Sequence, residues 1–143
     1  MKKTWYVIAD AATARVYSQT DKHDELHLEK ELNHPESRMK GSMLASDRPG
    51  HYQTTGDGHG AYVEKSEPKE FEAERFATEI THYLESGRVQ NAFDDLIIVA
   101  SPHFHGLLNK QMNKHVSNIV SKHIESDLTQ APESQLLELL KKY

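Results

Sequence analysis

Two short strings constrain this chain more than any other feature. TWYVIA, Thr4 to Ala9, is apolar on both alternating faces, and DLIIVA, Asp95 to Ala100, is a continuous apolar run. A strand reads this way when other layers cover both of its sides, so the strings predict interior strands of a sheet with elements packed against it.

The remaining pattern builds around them. ARVYSQ, Ala14 to Gln19, follows the first string after a tight connection and predicts a hairpin. Glu25 to Leu32 (ELHLEKEL) alternates, with Leu26, Leu28 and Leu32 expected on one face of a third strand nearer the sheet edge. From residue 33 to 66 no period holds, and Pro35, Gly41, Pro49, Gly50, Gly56, Gly58 and Gly60 mark a long loop. Pro68 suits a first helical turn, where its missing N–H has no partner to lose. Ala73, Phe76, Ala77, Ile80, Tyr83 and Leu84 then form a helical stripe, with Gly87 as the expected stop. Ser101-Pro102 ends the second apolar string and opens another helix, whose inward face is expected to hold Phe104, Leu107, Leu108, Met112, His115, Val116 and Ile119. A short strand is expected near Val120 to Glu125. Pro132 introduces a last helix with Leu136, Leu137 and Leu140 inward.

The order is β-β-β-loop-α-β-α-β-α. An antiparallel meander followed by crossovers gives an α/β fold of α+β character: a five-stranded mixed sheet in strand order 3-2-1-4-5 with helices packed on it. At 143 residues the chain is read as a single domain, residues 1–143, with the flexible loop at about 33–66. No apolar run approaches the ~20 residues that span a bilayer, and the start is too short and strand-like for a signal peptide. Cysteine is absent, which removes disulfides and thiolate chemistry, and the expected location is the cytoplasm. The net charge of −5 argues against wholesale nucleic-acid binding but leaves room for a local basic patch.

Several strings together resemble the bacterial host attachment protein family. These are YVIADAATARVY, SDRPG at Ser46 to Gly50, GHGAYVEKSEPKEFEAERFATEI, DLIIVASPHFHGLL, and SDLTQAPESQLLELL at Ser126 to Leu140. They span nearly the whole chain. The family is in turn similar to the central domain of archaeal and eukaryotic class I peptide release factors, a topology that is also ribonuclease-H-like. In those factors a glycine-rich loop between the third strand and the first helix carries Gly-Gly-Gln. The matching place here reads Gly56-Asp57-Gly58-His59-Gly60, and Gln53 lies upstream without flanking glycines. The resemblance therefore implies a translation-factor-like scaffold presenting a loop, and not the release reaction.

Candidate site residues fall in two groups. In the loop, Gly50, Gly56, Gly58 and Gly60 let backbone N–H groups approach a phosphate or carbonyl. Arg48, next to Asp47, offers a bidentate phosphate contact, while His51, Gln53 and His59 supply polar contacts. The second group is a basic surface. Ser101 to Ile124 contains no Asp or Glu; it carries +3 before histidine, leaving −8 for the rest of the chain. His103 and His105 lie at a strand end that opens a helix, where anions are favoured, and Lys110 and Lys114 are expected on the helix's outward face. No spaced ligand set points to a metal, and no cofactor is implied. Asp10 reads as a turn residue, since the second apolar string ends Ala100-Ser101 without the carboxylate a two-metal nuclease would need.

The expected function is a non-catalytic binding module that contacts RNA or the ribosome through the loop and the basic helix. The alternatives are an attachment-related interaction protein that binds a protein or glycan surface, and a hydrolase acting through the loop.

Overall fold

The computed structural model describes residues 2–21, 25–38 and 67–143. Five strands, β1 (Thr4–Ala9), β2 (Thr13–Gln19), β3 (His27–Asn33), β4 (Asp95–Ala100) and β5 (Val120–Glu125), form one sheet in the order β3-β2-β1-β4-β5. The first three pair antiparallel, and β4 joins β1 and β5 joins β4 in parallel. The two apolar strings are thus β1 and β4, lying side by side, with Trp5 opposite Leu96 and Val7 opposite Ile98.

Both faces of these strands are covered. On one face Trp5, Val7, Ala9, Leu96, Ile98 and Ala100 pack against α1 (Glu67–Val89) and α2 (Pro102–Gln111) through Phe76, Ile80, Leu84, Phe104 and Leu108. A single turn, α3 (Lys114–Ser117), adds Val116 to this layer. On the other face Ile8, Tyr17, Val99 and Ile124 meet Leu136 and Leu140 of α4 (Glu133–Leu140). Burial of each such aliphatic side chain contributes about 1.5–3 kcal/mol, which is why the apolar strings settle in the middle of the sheet.

Two polar devices fasten the layers. Asp10 Oδ1 accepts the N–H groups of Ala12 and Thr13, both at 2.8 Å, and so closes the β1–β2 turn. Arg15 Nη2 donates to the carbonyls of Thr129 at 2.7 Å and Ala131 at 3.3 Å, which ties the approach to α4 onto β2.

The structure corrects four expectations. In β3, Tyr17 pairs with Leu28 but Val16 pairs with Lys30, so a bulge intervenes. The extra residue reverses the alternation: Leu26 joins the α4 side, Leu32 joins the α1 side, and Leu28 stays 47% exposed. Gly87 does not stop α1, which runs to Val89 and ends at Asn91 in the left-handed region with φ 57°. Gly87 is instead a notch beneath Trp5, where an added Cβ would lie 2.8 Å from Cη2 of that ring. The helix after β4 breaks at Met112 and Asn113, both extended, and Asn113 caps α3 by accepting the Val116 N–H at 2.9 Å. The break rephases the chain, so His115 faces solvent, not the core. Finally, the first residues of the stretch expected as loop have regular structure. Asn33 still belongs to β3, and Pro35–Arg38 form a 3-10 turn.

Candidate functional site

The carboxyl end of β4 feeds directly into α2. Ser101 is the N-cap, its hydroxyl accepting the Phe104 N–H at 3.5 Å, and Pro102 occupies the first turn. His103 points outward, with Nε2 3.0 Å from Glu70 Oε2 across on α1. His105, expected on the anion-binding surface, is instead buried. Its Nε2–H donates to the Ile124 carbonyl at 2.9 Å, which leaves Nδ1 as the acceptor. His123 Nδ1 lies 3.3 Å from that atom, with the two rings edge to face. Desolvation and the neighbouring His105 ring push His123 below the ordinary histidine value, against a smaller opposing pull from Glu125.

Lys110, in the last turn of α2, and Lys114, in the first turn of α3, are both exposed, as are Asn109, Asn113 and Ser117. The break at Met112 places the two lysines on separate helices, each exposed, and not on the single continuous helix face expected from the sequence. Glu85 of α1 contacts Asn113 there, and it is already satisfied. Arg88 donates to it at 2.5 and 3.0 Å, and Asn113 Nδ2 at 2.7 Å. These bonds hold its carboxyl down to about 2, with Arg88 the leading cause. The third lysine of the acid-free stretch, Lys122, lies on the α4 side of β5, because it alternates in register with Ile124, and it donates to the Tyr143 carbonyl. It is separate from the Lys110–Lys114 surface.

Asp47, Arg48, Gly50, His51, Gln53, Gly56, Gly58, His59 and Gly60 lie outside the described residues. Asp10 sits at the end of β1 as a turn residue, with its Oδ2 3.2 Å from the Thr129 hydroxyl. One buried polar pair escaped the sequence reading altogether: His34, just after β3, meets Glu72 on α1 across 38 residues of chain. Glu72 sits beside Ala73 at the edge of the apolar stripe, and that position was the one available signal.

Among the described residues, no helix is long and apolar enough to cross a membrane. No curated protein sequence matches the chain. Among solved structures, the chain is similar to the crystal structure of the archaeal translation termination factor aRF1. The identity is 10% and the TM-score 0.50, over 98% of this chain and 38% of that one. The likeness shows the fold, and the chain spans well under half of the termination factor's length. The family model described as "Protein required for attachment to host cells" matches residues 5–140, from β1 through the last residue of α4, and the chain belongs to that family.

Proposed function

We propose that the protein is a non-catalytic binding module that contacts RNA phosphates, as free RNA or within the ribosome, through Lys110 and Lys114 and through the glycine-bearing segment at residues 46–60. The observation that carries this reading is the acid-free stretch from Ser101 to Ile124. Within it Lys110 and Lys114 are both exposed, while Glu85, which Asn113 contacts, is neutralised by Arg88. The shared fold with a protein named as a translation termination factor supports the same direction. Phosphate contacts release counterions, so binding should weaken steeply with salt.

The test is binding of single-stranded RNA by the full chain across a salt series. Each phosphate contact on a single strand contributes about 0.7 to the log–log salt slope. Replacing both lysines by Ala should lower the slope by about 1.4 and weaken binding. Unchanged RNA binding in the double variant would overturn the assignment of this surface.

The family description favours a second reading, an attachment-related contact with a protein or glycan. Capture of such a partner, insensitive to both salt and the lysine replacements, would support it in place of the first.

A further inference from the structure

We propose that His34, Glu36 and Glu72 form a binding site for a divalent first-row transition metal ion. One ligand atom from each residue lies within 4.8 Å of the others. His34 Nε2 is 2.7 Å from Glu72 Oε1, and His34 Nδ1 is 3.5 Å from Glu36 Oε2. Glu72 is 4% exposed and His34 is 9% exposed, so a carboxylate and an imidazole meet in a place largely withdrawn from water. Groups of this kind are retained in a core when paired with each other or holding a metal.

The setting is rigid where a site needs it and adjustable where it does not. The His34 N–H donates to the Ala12 carbonyl at 2.8 Å, and its ring stacks on Phe76 with centroids 5.5 Å apart and an interplanar angle of 21°. Glu72 is fixed on α1, with Arg75 Nη1 3.7 Å from its second oxygen, Oε2. Glu36, on the 3-10 turn, keeps a side chain 48% exposed. Zinc bonds imidazole nitrogen and carboxylate oxygen at about 2.0–2.2 Å, so neighbouring ligand atoms end up roughly 3–3.4 Å apart. An ion on Nε2 needs the His34–Glu72 pair to open by a few tenths of an ångström, and needs Glu36, which now faces Nδ1 of the same ring, to swing across to it. One imidazole with two carboxylates suits zinc, manganese or iron better than calcium or magnesium, which favour all-oxygen shells. A metal takes the ring lone pair that a proton would otherwise hold, so binding tightens as pH rises and releases protons.

The experiment is isothermal titration of the full chain with zinc chloride at two pH values, in the absence of RNA. Its outcome therefore stands apart from that of the RNA reading. The expected result is one tight site per chain that weakens at the lower pH. Glu72→Gln and His34→Gln should each weaken it by about tenfold or more, comparable to or beyond the loss of a supporting carboxylate. Glu36→Gln changes an exposed side chain and keeps the fold intact, so it tests the site even if the buried variants fail to fold; it too should weaken zinc by about tenfold. Absence of a one-to-one site in the wild type, or unchanged zinc affinity in Glu36→Gln, would overturn the proposal and leave the cluster as an ion pair that docks the 3-10 turn on α1.

Discussion

Replacing Gly87 by Ala tests whether packing or helix propensity governs the last turn of α1. Ala in a helix interior is favoured over Gly by about 1 kcal/mol, so propensity alone predicts a more stable protein. The structure predicts the opposite. An added Cβ would lie 2.8 Å from Cη2 and 2.9 Å from Cζ3 of Trp5, and 3.1 Å from Cε1 of Phe93. The indole has little room to retreat, because it is stacked on Tyr83 at 5.5 Å and tilted against Phe93 at 4.7 Å. Overpacking by one methyl group costs about 1–3 kcal/mol. The ring is held on both sides, so the upper half of that range, about 2–3 kcal/mol, applies, and set against the propensity gain the net effect is a loss of about 1–2 kcal/mol. A chain of this length has an unfolding entropy that converts 1 kcal/mol to about 3 °C, so Tm should fall by about 3–6 °C in a calorimetric scan. Trp5→Phe removes the ring atoms nearest the new methyl, and in that background the penalty should shrink or change sign. A Gly87→Ala protein that melts at or above the wild-type temperature would refute the reasoning.

Three further outcomes follow from the geometry. Asp10→Ala leaves the N–H groups of Ala12 and Thr13 without their shared acceptor and should cost about 1–3 kcal/mol in urea unfolding, with Asp10→Asn recovering part of it. Asn113→Ala removes the α3 cap and one bond to Glu85, and should cost about 1 kcal/mol by the same measure. His123 is held below its ordinary value, so the unfolded chain takes up that proton first as pH falls. Its contribution is complete above pH ~6.5 and is lost as pH drops from there toward the folded value, so His123→Gln should flatten the urea-midpoint profile in that window.

The sheet was legible in the sequence because its central strands are written twice over, on both faces, in Thr4–Ala9 and Asp95–Ala100. The α1 stripe was legible for a similar reason: Phe76, Ala77, Ile80 and Leu84 are all buried as their spacing requires. The misreadings have local causes. A bulge in β3 leaves no mark on composition, yet it sends Leu26 and Leu32 to opposite sides. Gly87 has the residue type of a helix end, but its position is set by the bulk of Trp5, which lies far away in sequence. Asn113 did carry a legible signal, since a side chain that competes for backbone N–H groups readily divides a helix. On the candidate surface, exposure of Lys110 followed from its phase, whereas Lys114 lies beyond the break, where the phase argument no longer holds. Burial of His105 did not follow from phase, because its partner is the Ile124 carbonyl on a different strand. The His34–Glu72 contact joins residues on either side of the long connection, and no pattern within one element encodes it.

The placement of α4 also has a consequence for how the chain is made. Translation proceeds from the amino end, so Ile8, Tyr17 and Val99 are all synthesised before the helix that shelters them. The carbonyls that receive Arg15 belong to residues 128, 129 and 131, so the latch can engage only after more than a hundred further residues have been added beyond β2. A chain cut just before Pro132 would keep all five described strands but leave Ile8, Tyr17, Val99 and Ile124 without Leu136 and Leu140 above them, a bare apolar side of the kind that invites aggregation and proteolysis.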